Sequence, residues 1–133
     1  MVCLDTTFII DFLRGKEKSK SVIQDLQDGK DNITVASPSV MEIMSGVELG
    51  INKNEEKEKI IEFLSSINVL PLNKESAFLA GEIEGYLIMT GETIGPIDTM
   101  IGAIAKYNNE MLLTRNTKHF SKIHGLKVQG YFN

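Results

Sequence analysis

Five short apolar runs, Val2 to Leu4, Ile33 to Ala36, Asn68 to Leu70, Met111 to Leu113 and Leu126 to Val128, are separated by longer segments with apolar residues at helical spacing. Runs this short do not make helices and suit strands buried on both faces. The intervening segments, such as Ile60, Ile61, Phe63, Leu64 and Ile67, or Phe78, Leu79, Ile83, Tyr86 and Leu87, mark the buried faces of helices. Strands alternating with helices predict an α/β fold: a central, mostly parallel sheet of about five short strands, covered on both faces by right-handed crossovers.

Local start signals agree with that alternation. Thr6 or Thr7 follows the first strand, Ser37 stands before Pro38, Asn54 and Asn73 precede helical segments, Gly95 precedes Pro96, and Asn116 and Thr117 follow the fourth strand. The charged stretches from Lys16 to Lys20 and from Asn52 to Lys59 read as solvated helix ends. With 133 residues, 42% hydrophobic and 24% charged, the chain is expected to form one domain, 1-133, around one core.

The single cysteine, Cys3, lies in an apolar strand and reads as a small buried residue in a reducing compartment. No basic region precedes Asp5, and no apolar run approaches the ~20 residues that span a membrane, so a cytoplasmic protein is expected. A net charge of −4 argues against a broad electrostatic grip on nucleic acid, while leaving room for a local acidic site.

Open parallel sheets bind ligands beyond the carboxyl ends of their strands. Four residues fall there: Asp5 after the first strand, Glu42 early in the helix after the second, Asp98 at the head of the Gly95-Pro96-Ile97 helix, and Asn116 after the fourth strand. Each has a bland role available, because acids and amides near helix starts satisfy free N–H groups and complement the helix dipole. Ser39 and Glu42 even have capping-box spacing, although Pro38 at a first helical position places Glu42 a turn inside the helix. Asp98 is followed by the apolar Met100, Ile101, Ala103, Ile104 and Ala105, where a carboxylate calls for a partner or a cation. Three carboxylates meeting at one sheet edge would repel one another unless neutralised, which points to oxygen-ligated Mg²⁺ or Mn²⁺ and to phosphodiester hydrolysis.

At these residues the chain resembles PIN domains of the VapC toxin type, through LDTTFIIDFL at the start, the Glu of SVMEIMSG, the run IGPIDTMIGAIA, and LLTRNTKHFSKIHGLKV near the end. The resemblance spans essentially the whole chain. It implies an endoribonuclease dependent on Mg²⁺ (Mn²⁺ possible), with RNA as substrate, a small cognate antitoxin bound across the active site, and a homodimer. Carried over by position, Asp5, Glu42 and Asp98 form the metal-binding set. Asn116 completes the catalytic group where relatives have Asp or Asn, which predicts one firmly held ion and a weaker second site.

Around that set, Thr6, Thr7 and Thr114 are candidates to orient a ligand, and Arg14, Arg115 and Lys118 to meet RNA phosphates. His119 and His124 read as surface residues, and the apolar side chains of the early helices as core shared with an antitoxin groove. Two other readings keep the fold: a PIN-like nuclease of RNA processing, and a PIN-like protein that binds RNA without cutting it. A receiver-type phosphoacceptor module is disfavoured, since it resembles a chain with paired acids, an Asp and a Lys after strands one, three and five, where Asp5-Thr6, Pro71-Leu72 and Gln129-Gly130 stand.

Overall fold

The computed structural model describes residues 1–131. In chain order the elements are β1 (Val2–Leu4), α1 (Thr6–Leu13), α2 (Glu17–Asp28), β2 (Ile33–Ala36), α3 (Ser37–Glu48), α4 (Lys53–Leu64), β3 (Asn68–Leu70), α5 (Lys74–Thr90), α6 (Pro96–Tyr107), β4 (Met111–Leu113), α7 (Thr117–Phe120) and β5 (Val128–Gln129). All strand pairs are parallel, in the order β3-β2-β1-β4-β5.

The first strand is the centre of the molecule. Leu4 pairs with Val35 on one side and Leu113 on the other. Side chains alternate across the sheet. Val2, Leu4, Val35 and Leu113 pack under α1 to α4 with Phe8 and Ile9, while Cys3, Ala36 and Leu112 pack under α5 to α7 with Ile101 and Ile104. Burial of Cys3 pushes its thiol up to about 12, so it is a packing residue and not a nucleophile.

Several boundaries differ from expectation. Asp5 occupies the cap position of α1, so Thr6 and Thr7 lie inside the helix. The third helix begins at Ser37 itself, with Ala36 before it, and the Ser37 hydroxyl accepts the Leu72 N–H instead of capping. The cap position of α4 is Asn52, not Asn54. Asn73 does cap α5, in a reciprocal box with Ser76. The fifth strand starts two residues late: Gly125 at φ +82° turns the chain, and the Leu126 N–H still bonds the Ile123 carbonyl within that turn.

One close approach fixes the α7 side of the sheet. Gly102 of α6 faces the segment after α7, and a β-carbon there would lie 2.3 Å from Ile123 Cδ1. Ile123 is itself buried in a packed cluster. We expect Gly102→Ala to destabilise the fold by about 1–3 kcal/mol through overpacking, lowering the urea midpoint at unchanged slope. An unchanged midpoint would contradict this account of the contact.

Candidate active site

Strand order reverses at β1 and β4: the chain leaves β1 toward β2 and β3, and returns to build β4 and β5 on the other side. That reversal opens a crevice at the carboxyl ends. Asp5 and Thr114, the first residues beyond the two strands, flank it and extend the ladder through Asp5 N–H to the Leu113 carbonyl at 3.0 Å.

Asp5 is 2% exposed, and Thr114 is fully buried. Oδ2 of Asp5 accepts the Thr114 hydroxyl at 2.7 Å and the Thr7 hydroxyl at 3.0 Å. The side chain makes no cap bond to α1, so its capping role is not used. Thr114 Oγ1 in turn accepts the Asn116 N–H at 3.0 Å, tying the loop after β4 to the same carboxylate. The Asn116 side chain is exposed and makes no cap bond to α7.

Glu42 stands a turn and a half into α3, and Thr6 donates to its Oε1 at 2.7 Å. The capping box with Ser39 does not form: Ser39 Oγ is buried with no hydrogen-bond partner. Asp98 sits in the first turn of α6, after Gly95 at φ +97° and Pro96. His119 Nδ1 lies 3.3 Å from its Oδ2, so a histidine read from sequence as a surface residue meets a candidate site carboxylate. Burial raises the Asp98 pKa above its ordinary value, opposed by the His119 hydrogen bond and reinforced by the charges of Asp5 and Glu42. Asp98 therefore feels the charge of both other carboxylates.

In each of them one oxygen is held by a neighbour and the other has no hydrogen-bond partner, without being sealed in the interior. Three open carboxylate oxygens, with no thiol, are the donor chemistry of a hard divalent cation. They do not stand as a finished ligand set: among the described residues no three His, Cys, Asp or Glu side chains are grouped closely enough to hold an ion.

The candidate phosphate contacts separate. Arg115 pairs with Asp11 of α1, Nη1 lying 3.3 Å from either oxygen, and Tyr131 donates to Asp11 Oδ2 at 2.7 Å. Burial, then the facing Asp11, pushes the Tyr131 hydroxyl upward. Sequence reading passed over Asp11, although a charge between Ile10 and Phe12 in a buried helix demands a partner. Arg14 instead lines a groove of about 520 Å³ between α1, α3 and α4, with Ile10, Leu13, Ile43 and Ile60, which reaches Glu42.

A sheet of this order with acidic residues at its switch point defines a class. The PIN-domain family model matches residues 2–126, and the chain belongs to that family. Within it the chain is of the VapC type. The "Ribonuclease VapC1" of Rickettsia felis is 34% identical over 129 residues, covering 94% of this chain and 92% of that protein. The "tRNA(fMet)-specific endonuclease VapC" of Shigella flexneri is 29% identical over 128 residues, 96% of each. Among solved structures, VapBC-1 of nontypeable Haemophilus influenzae aligns with TM-score 0.85 at 26% identity over 98% of both chains. The VapBC2 complex of Rickettsia felis aligns at 0.91 over 99% of this chain and 100% of that one; at 24% identity this shows the fold alone.

Two outcomes test the electrostatics. Because folding raises the Asp98 pKa, the folded protein binds a proton that the unfolded chain has released, so this residue costs stability as pH rises through the ordinary carboxylate range. Asp98→Asn should therefore raise the thermal midpoint at pH 7 in EDTA, and the gain should vanish below about pH 3.8, where both states are protonated. A midpoint lowered at pH 7 would contradict the shift. Thr114→Val, which removes the buried donor to Asp5 and the acceptor for Asn116, should cost about 1–3 kcal/mol in urea unfolding.

Proposed function

We propose that this protein is a divalent-metal-dependent endoribonuclease that hydrolyses RNA phosphodiester bonds and acts as the toxin of a toxin–antitoxin pair. The observation that supports the reading is the placement of Asp5, Glu42 and Asp98 at one edge of the sheet, near enough for the charges of Asp5 and Glu42 to act on Asp98. The names of the VapC relatives, ribonuclease and endonuclease, support the reaction class.

Mg²⁺ is the expected ion, with Mn²⁺ as a substitute, and Asp5, Glu42 and Asp98 would hold it. Bound there, such an ion supplies charge neutralisation and Lewis acidity at a phosphate. The protein's own task is placement. Thr7 and Thr114 fix the orientation of Asp5, Thr6 restrains Glu42, and His119 restrains Asp98. Asn116 presents a neutral amide at the rim, suited to orienting a water or a substrate oxygen. Arg115 pairs with Asp11, and its backbone N–H reaches the Thr7 hydroxyl, which ties the loop after β4 to α1.

The antitoxin reading rests on the groove between α1, α3 and α4. Its walls, apolar at Ile10, Leu13, Ile43 and Ile60 and charged at Arg14, Glu56 and Lys59, suit an amphipathic peptide segment that lies along the helices and covers Glu42. The likeness to VapBC-1 of nontypeable Haemophilus influenzae supports a partner of this kind.

Purified protein should cut RNA in Mg²⁺ or Mn²⁺, not in EDTA, and Asp5→Asn with Asp98→Asn should lower the rate by on the order of a hundredfold or more. Cleavage indifferent to metal and to both substitutions would sink the reading. Asn116→Asp should tighten Mn²⁺ binding in a calorimetric titration, by supplying a fourth carboxylate; unchanged or weaker affinity would remove Asn116 from the site.

A further inference from the structure

The overall charge of −4 conceals an asymmetry. Residues 93–133 carry five Lys or Arg against two carboxylates, Asp98 and the buried Glu110, a formal +3 in a chain that is otherwise acidic. Within it, the ten residues from Lys118 to Lys127 hold three lysines, both histidines of the chain and no acid.

The fold gathers part of this segment with a second element. Gly102 lets the stretch after α7 lie directly on α6, which brings Lys122 and His124 beside Lys106. Lys106 Nζ donates to the His124 carbonyl at 2.6 Å, and an ammonium group has two further protons to give. Across a shallow pocket of about 220 Å³, Tyr86 of α5 packs against the His124 ring with centroids 5.3 Å apart. Tyr86 keeps 47% of its surface exposed, well beyond what core packing leaves. Glu82 is the only acid among the residues that line the pocket.

We propose that this face is a second nucleic-acid subsite, which takes the backbone of single-stranded RNA on Lys106 and Lys122 and stacks a base on Tyr86. It rests on the ribonuclease reading for the identity of its ligand. Aromatic faces interleaved with lysines are the chemistry of sequence-tolerant single-strand binding. Position agrees as well. The helix that carries Asp98 carries Lys106 eight residues later, about 12 Å along the axis, a span of about four stacked nucleotides. Lys118 lies on α7 and Lys122 just after it, among the residues that line the pocket. The subsite gives an acidic protein a local hold on a polyanion.

The test is binding, not cutting. A labelled, uncleavable 2′-O-methyl 12-mer is titrated in EDTA against the wild-type protein and surface variants whose folding is verified by thermal melts. Tyr86→Ala should weaken binding about tenfold, with Tyr86→Phe close to wild type. Lys122→Ala should weaken it and reduce the slope of log affinity against log salt by about 1. Glu82→Gln should tighten it. Wild-type affinity in Tyr86→Ala, an unaltered salt slope in Lys122→Ala, equal affinity for inorganic polyphosphate, or no binding by the wild-type protein would each overturn the subsite. Failure of metal-dependent cleavage would sink the ribonuclease reading and leave this measurement decisive for the face.

Discussion

A carboxylate buried at the end of the central strand governs how this molecule is put together. Asp5 has almost no contact with solvent, yet it does not cap the helix it precedes. Two hydroxyls hold one of its oxygens, and one of those hydroxyls also anchors the loop after the neighbouring strand. A carboxyl group in such a place is tolerated only when its hydrogen-bonding capacity is met. The hydroxyls meet half of it and leave the other oxygen without a hydrogen-bond partner. The sheet order brings Glu42 and Asp98 to the same edge, since β1 lies between β2, whose following helix carries Glu42, and β4, whose preceding helix carries Asp98.

The two helical layers serve the crevice differently. On the α1 to α4 side, a groove lined by both apolar and charged residues includes Glu42. On the α5 to α7 side, close packing at Gly102 sets Lys122 and His124 beside Lys106, eight residues along α6 from Asp98. Asp11 secures the rim between them by joining α1 to Arg115 and Tyr131.

The sheet was legible because each strand is a short apolar run bounded by helical periodicity, and four of the five runs coincide with strands. The fifth slipped because Leu126 and Val128 satisfy period two equally well inside a turn or a strand, and only tertiary packing decides between them. Site geometry was less legible. Asp5, Glu42 and Asp98 were readable as acids near strand ends, but their restraints are long range: Thr6 reaches Glu42 across 36 residues, and Thr114 reaches Asp5 across 109. Local spacing misleads in such places. Ser39 and Glu42 have the spacing of a capping box, but α3 begins at Ser37, which carries Glu42 past any capping position. His119 looked unremarkable because nothing in its neighbourhood along the chain reveals that α7 sets it against α6.

The central claim is that these three carboxylates form one cation site once an ion is present. Anomalous diffraction from crystals equilibrated with Mn²⁺ near neutral pH tests it most directly. A peak bounded by carboxyl oxygens of Asp5, Glu42 and Asp98 is expected. A crevice without anomalous density under saturating Mn²⁺, or an ion held elsewhere, would contradict the claim.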